Sequence, residues 1–282
     1  MALIHFIDGE KGGVGKSLFA RVMVHYCLDR EYPFALVEAD RSNPDVGEVY
    51  PDVCEQIIFS EAERKSYDAD KIFKLALTKP VIVNLPAQVA DITKEWIERN
   101  GILNLGEKYG VKICKWFVCT GGYDSVKLFM ESLKYFDNKI IHVFVRNWGL
   151  CEDWTHVDKR KELQDLIAKY NVAVIDFPKF SYPERDYMDE YRCTFEFAQN
   201  DQSDESLDIL GKQRLYTFLD KAVQGIDKAG IWNQSAASQE PIETSSKGSK
   251  RGRGSAKNKE QSTAATQPGE SARQTQIGEG VS

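Results

Sequence analysis

Residues 8–17 read DGEKGGVGKS, a glycine-rich loop that separates an apolar run at residues 3–7 from a helical pattern at residues 16–30. Glycines let successive backbone N–H groups turn inward around phosphate oxygens, and the positive end of the following helix adds to that attraction. Lys16 can reach the outer phosphates, and the Ser17 hydroxyl can ligate Mg²⁺. The loop therefore predicts a phosphate-binding site at the end of the first strand. The backbone contacts are expected from Gly12, Gly13, Val14 and Gly15.

Short apolar runs alternate with longer helical patterns along the first 232 residues. The predicted strands lie at residues 3–7, 34–37, 80–85, 113–119, 140–145 and 172–177. The predicted helices lie at residues 16–30, 91–109, 125–136, 156–170 and 203–225. Near-continuous apolar strands are typical of a sheet covered on both faces, so this order predicts an α/β fold, a mostly parallel sheet with helices on both faces. Ligands of such folds bind beyond the carboxyl ends of the strands.

Composition changes sharply after Trp232. Residues 233–282 contain no aromatic residue and only isolated Ile and Val, so they cannot bury enough apolar surface to offset the entropy of ordering. We therefore predict one folded domain over residues 1–232 and a disordered tail over residues 233–282. A basic stretch at residues 247–259 makes DNA or an acidic protein a candidate partner of the tail, although such stretches are more often simply solvated.

The charge and hydropathy of the chain exclude several classes of protein. Lys plus Arg total 37 against 43 Asp plus Glu, a net charge of −6, so the molecule as a whole is not a basic surface for nucleic acid or an anionic membrane. No window approaches the roughly 18 apolar residues of a membrane span, and the first residues lack a signal-peptide pattern. The sequence thus predicts a cytoplasmic protein that makes no membrane contact.

The segment KGGVGKS at residues 11–17 resembles the deviant Walker A motif, K-G-G-x-G-K-[ST], of the ParA/MinD family of ATPases. The general P-loop pattern has glycine where this chain has Glu10, but the family varies at that position. The resemblance implies a P-loop NTPase fold that binds ATP and Mg²⁺ in a nucleotide-binding domain. It implies that Lys11 is the signature lysine, which reaches the partner's nucleotide in an ATP-dependent homodimer. Lys11 and Lys16 would then neutralise charge on the departing phosphoryl group.

Two further segments can be compared with motifs of that family. Residues 36–45 (LVEADRSNPD) are similar to its acidic switch segment, which implies that Asp40 helps order the Mg²⁺ shell and the attacking water; turn chemistry alone is the alternative. After the next strand the family has an aspartate in a pattern like Asp-x-Pro-Ala-Gly, whereas this chain has Asn84 and, in place of the glycine, Gln88. An amide offers the ion no charge. We therefore expect ATP binding to be retained more readily than ATP hydrolysis.

The resemblance also implies a pocket for the adenine base. Asn147 follows the predicted strand at residues 140–145, where the family places an asparagine whose amide pairs with adenine; an ordinary loop asparagine is the alternative. Pro178 follows the last predicted strand, where the family often has a proline-containing loop beside the base.

Within the family, the two motifs look most like those of TraL- and MobD-type plasmid mobilisation proteins. The resemblance thus implies a dimeric switch that hydrolyses ATP slowly and assists plasmid mobilisation or partition, with transfer or partition proteins as partners. One alternative is a nucleotide-binding scaffold for transfer or relaxosome proteins that does not hydrolyse ATP. Another is a P-loop biosynthetic ligase, for which the sequence has no recognisable substrate motif.

Overall fold

The computed structural model describes residues 2–9, 11–60 and 67–232. The tail predicted for residues 233–282, with its basic stretch, lies outside the described residues, and the domain boundary at residue 232 stays a prediction. The strands are β1 (Ala2–Asp8), β2 (Ala35–Glu38), β3 (Cys54–Gln56), β4 (Val81–Asn84), β5 (Val111–Cys119), β6 (Ile141–Asn147) and β7 (Ala173–Phe177). They form one sheet in the order β3-β2-β4-β1-β5-β6-β7, and each neighbouring pair is parallel.

Helices connect the strands and cover both faces of the sheet. They are α1 (Lys16–Asp29), α2 (Asp45–Val49), α3 (Asp70–Ala76), α4 (Ala90–Arg99), α5 (Ile102–Tyr109), α6 (Tyr123–Phe136), α7 (Thr155–Asp158), α8 (Lys161–Lys169), α9 (Tyr182–Glu190), α10 (Phe195–Asn200) and α11 (Ile209–Ala229). None of the helices in the described ranges is long and apolar enough to cross a membrane.

Both faces of the central strand β1 are buried. On one face Leu3 lies in a core with Phe19 of α1 and Phe218 of α11. On the other face Phe6 lies in a second core with Trp96 of α4. Successive side chains of a strand point to opposite faces, which is why these strands read as continuous apolar runs. The prediction of a parallel sheet with helices on both faces, the fold of P-loop NTPases, is confirmed.

Two of the predicted helices are interrupted in the structure. The pattern at residues 91–109 forms α4 and α5, because Gly101 between them has a φ of +58°, a left-handed conformation that a continuous helix does not contain. The pattern at residues 156–170 forms α7 and α8, because Arg160 has a ψ of 97°. In both places a backbone conformation outside the helical region ends one helix and allows the next to begin.

The last predicted helix, residues 203–225, begins later than the apolar pattern indicated. It starts at Ile209 because the Asp208 carboxylate accepts a hydrogen bond from the Gly211 N–H and caps the helix. Five short elements were not predicted, because their few residues carry too little periodicity to be recognised. They are β3, α2, α3, α9 and α10.

The carboxyl ends of the strands meet at one edge of the sheet, where the glycine-rich loop joins β1 to α1. In the register of the sheet Asn84 is paired with Ile7 of β1 on one side and with Glu38 of β2 on the other. The carboxyl ends of β1, β2 and β4 are therefore neighbours beside the loop. This edge is where an open parallel sheet binds its ligands.

Candidate nucleotide-binding site

Two glycines shape the loop between β1 and α1. Gly13 and Gly15 have φ values of +74° and +97°, conformations that residues with a side chain rarely adopt. Gly15 immediately precedes α1 and has no side chain with which to cap it. The N-terminus of α1 therefore has no side-chain cap, and an anion is the ligand that a helix N-terminus favours.

The two lysines of the loop lie in different environments. Lys16 is buried, and its Nζ donates a hydrogen bond to the carbonyl oxygen of Lys11 at 3.0 Å. Lys11 is exposed, and its Nζ forms an ion pair with Oδ2 of Asp124, in the first turn of α6, at 2.8 Å. The ammonium of Lys11 holds the pKa of the Asp124 carboxyl below its usual range. An ion pair this exposed contributes little to stability because water screens it, so Lys11 can leave it at little cost.

A hydrogen-bonded chain links the start of α1 to the ends of β4 and β2. The amide Nδ2 of Asn84 lies 3.4 Å from Ser17 Oγ and donates to both oxygens of Glu38, at 3.0 and 3.3 Å. Glu38 is 2% exposed, and burial raises its pKa to about 7 despite the hydrogen bonds from Asn84 and from backbone N–H groups. The carboxylate linked to Ser17 through Asn84 is therefore that of Glu38, which was not among the predicted site residues. The sequence feature that could have indicated it is a charged residue at the end of an apolar strand.

Asp40 lies two residues after Glu38 and is half-buried. Its Oδ1 accepts hydrogen bonds from the N–H and hydroxyl of Ser42, at 3.0 and 2.6 Å, and from the N–H of Asn43 at 3.2 Å. These bonds form the local turn that an Asp-x-Ser-Asn segment favours. The turn and a role at the metal are compatible, so the assignment of Asp40 to the Mg²⁺ shell and the attacking water stays a prediction.

Asn147 lies directly against the glycine-rich loop. Its Nδ2 donates to the carbonyl oxygen of Val14 at 2.9 Å, and its Oδ1 accepts from the Gly149 N–H at 2.9 Å. A Cβ added to Gly15 would lie 2.7 Å from that Nδ2, so only glycine fits there. The side chain therefore supports the loop, and its predicted contact with adenine stays untested. Pro178 follows β7 directly and is half-buried.

A buried ion pair anchors the first residue of the loop. Lys115 Nζ of β5 lies 2.8 Å from Oδ2 of Asp8, and the two side chains are only 3% and 2% exposed. The other carboxylate oxygen of Asp8 accepts the Gly9 N–H at 2.7 Å. This pair was not predicted, although Lys115 stands out as a charge inside an apolar strand.

The sheet order and the glycine-rich loop are those of a P-loop fold, and the loop resembles that of ParA/MinD-type proteins. The chain is similar to protein MobD of Acidithiobacillus ferrooxidans, with 30% identity over 160 residues, 53% of this chain and 65% of MobD. It is also similar to protein TraL of Escherichia coli, with 27% identity over 244 residues, 82% of this chain and 100% of TraL. The likeness to TraL- and MobD-type proteins inferred from two motifs is thereby confirmed.

Other comparisons add a structural likeness. The fold is similar to that of the cell division protein MinD of Aquifex aeolicus, with 13% identity and a TM-score of 0.43 over 80% of this chain and 97% of that chain. No family model matches the sequence. The alignment with MobD spans just under two thirds of that protein's length.

Proposed function

We propose that this protein binds ATP with Mg²⁺ at residues 11–17. The observation that carries the proposal is the conformation of this loop, in which left-handed Gly13 and Gly15 lead into the uncapped N-terminus of α1. Backbone N–H groups and the helix dipole then favour a phosphate group. Lys16 adds a buried ammonium that donates a hydrogen bond to a carbonyl of the same loop, and a phosphate oxygen would be a stronger acceptor.

Each residue has a distinct part in the proposed site. The N–H groups of Gly12, Gly13, Val14 and Gly15 bind phosphate oxygens, and Lys16 donates to the terminal phosphates. Ser17 is the proposed metal ligand, and bound Mg²⁺ would supply positive charge to the phosphates. Asp40 orients the attacking water. Asn147 holds the loop through Val14 and, with Pro178, lies beside the adenine base.

We further propose that ATP brings two copies of the chain together at this edge of the sheet. Three apolar side chains are exposed on the loops and helix starts that follow β5, β6 and β7. They are Tyr123 at 67%, Leu150 at 51% and Tyr182 at 65% exposure. Their position on the edge that carries the glycine-rich loop is the support for a contact with a second copy there. In the dimer Lys11 would leave its ion pair with Asp124 and would bind the nucleotide of the other copy.

The proposed biological role is a slow ATP-dependent switch in plasmid mobilisation or partition. The likeness to TraL over that protein's full length supports it. A scaffold that binds ATP without hydrolysis is the second candidate, and Asn84 favours it because β4 ends on an amide rather than an acid. Transfer or partition proteins are the proposed partners in both cases, and DNA is a candidate ligand of residues 247–259.

The test is to measure ATP binding by calorimetry and phosphate release on the purified full-length chain, with and without DNA. Binding with slow release supports the switch, whereas binding with no release under any condition supports the scaffold. Sedimentation velocity with a non-hydrolysable ATP analogue tests the dimer in the same samples. A chain that does not bind ATP with Mg²⁺ present contradicts both candidates.

A further inference from the structure

Glu38 and Asn84 form an unusual pair at the carboxyl edge of the sheet. They are direct neighbours in the register of β2 and β4, and each is at most 2% exposed. Glu38 also accepts backbone N–H groups from Asp40, Val46 and Gly47, at 2.9, 3.1 and 3.4 Å. The carboxylate thus receives several hydrogen bonds, but no ion pair involves it in the described part of the chain.

Two groups of this pair lack a stabilising partner among the described residues. A buried carboxylate without a cation is costly even when it accepts hydrogen bonds. In addition, Asn84 Oδ1 is buried and has no hydrogen-bond partner among the described residues. Ser17 Oγ lies 3.4 Å from Asn84 Nδ2. A hydrated cation beside Ser17 would stabilise both groups. Its charge would offset Glu38, and one of its waters would donate to Oδ1.

We propose that Glu38 and Asn84 together take the role at the Mg²⁺ site that a single acid usually has in P-loop NTPases. That acid lies on the strand that corresponds to β4. The negative charge resides on β2, in Glu38, and the acceptor oxygen resides on β4, in Asn84. Because Nδ2 donates to the carboxylate, the amide is held in one orientation and its oxygen is the end left for the metal's water shell. This proposal rests on the proposed function, since it assumes that ATP binds with Mg²⁺.

Glu38 also has a structural role, because it holds the start of α2, and the test must separate the two roles. Holding the N–H groups of Val46 and Gly47 requires an acceptor, which the glutamine carbonyl oxygen retains. Acting on a metal requires the charge. The informative variants are therefore Glu38→Gln, which removes the charge, and Glu38→Gln with Asn84→Asp, which transfers it to β4. Glu48→Gln is the matched control, because Glu48 lies on α2, is exposed, and pairs with Arg192.

The experiment measures ATP affinity by calorimetry with Mg²⁺ and with EDTA in the full-length chain. For Glu38→Gln we expect the affinity gained from Mg²⁺ to fall about tenfold or more, since a charge-assisted contact is lost, with the affinity in EDTA unchanged. The double variant should recover most of the gain, and Glu48→Gln should behave like the parent. Thermal unfolding of each variant checks that it folds.

Three results would overturn the proposal. One is a Glu38→Gln variant that keeps the full effect of Mg²⁺. Another is a double variant that gains as little ATP affinity from Mg²⁺ as Glu38→Gln does. That result would mean that a charge on β4 cannot replace Glu38, so Glu38 would act only through its structural role. If Glu38→Gln does not fold, Asn84→Ala decides, and full Mg²⁺ dependence in that variant removes the proposal. A parent that fails to bind ATP at all contradicts the proposed function instead, so the two failures are distinguishable.

Discussion

Replacing Asn147 by alanine tests how the site is held together. The substitution removes the donor to the Val14 carbonyl and the acceptor of the Gly149 N–H, both at 2.9 Å. The first bond is buried and the second partly buried. A buried group left without its partner costs about 1–3 kcal/mol, and Gly149 has partial access to water. We therefore expect the free energy of unfolding to fall by about 2–4 kcal/mol.

The loss should appear in two assays. Urea unfolding gives the change in stability, and calorimetry compares ATP with GTP. If Asn147 acts through the loop, affinity for both nucleotides should fall by a similar factor, because the phosphates bind to the loop that Asn147 supports. Asn147→Asp is the control: it keeps the acceptor for Gly149 but sets a carboxylate against the Val14 carbonyl. Unchanged stability with a loss of ATP binding alone would refute this reasoning and favour a direct contact with adenine.

Three further predictions address the dimer, turnover and pH. Lys11→Ala should weaken the analogue-induced dimer in sedimentation more than it weakens ATP binding, and a dimer of unchanged strength would count against the signature-lysine role. Asp40→Ala should abolish phosphate release while calorimetry shows ATP binding largely intact; brisk turnover in this variant would show that another group orients the water. Burial lowers the pKa of His5 from 6.5 to about 3, so the unfolded chain binds a proton that the folded chain excludes. His5 alone should therefore lower the stability below pH 6.5 by up to about 1.4 kcal/mol per pH unit. Urea unfolding at several pH values should show that the stability of His5→Gln falls less steeply with decreasing pH than that of the parent.

The sequence predicted the long elements and the loop because those signals are local. Continuous apolar runs marked six of the seven strands described. The residues of the phosphate-binding motif are all adjacent in the sequence, at positions 11–17. The glycine conformations at positions 13 and 15 follow from the same segment, since only glycine adopts them readily. Helix ends were less predictable, because they depend on single residues such as Gly101 and Asp208.

Partnerships across the sheet could not be read from the sequence. Glu38 and Asn84 are 46 residues apart in the chain, and their contact depends on β2 lying next to β4. The pairing of Asp8 with Lys115 depends in the same way on β5 lying beside β1. Such contacts require the strand order, which motifs alone do not give. The absence of an acid at position 84 could be read from the sequence, but the contact of Asn84 with the carboxylate of Glu38 could not.

The central claim is that the glycine-rich loop binds ATP, and calorimetry of the parent and Lys16→Ala with Mg²⁺ tests it most directly. Lys16 is buried, and its Nζ donates to the Lys11 carbonyl at 3.0 Å. In the proposed complex with ATP, the Lys16→Ala substitution would remove one charge-assisted phosphate contact worth about 1.5–3 kcal/mol. The account predicts that the parent binds ATP and that the variant binds it roughly tenfold or more weakly. Equal affinity in the two proteins would contradict it.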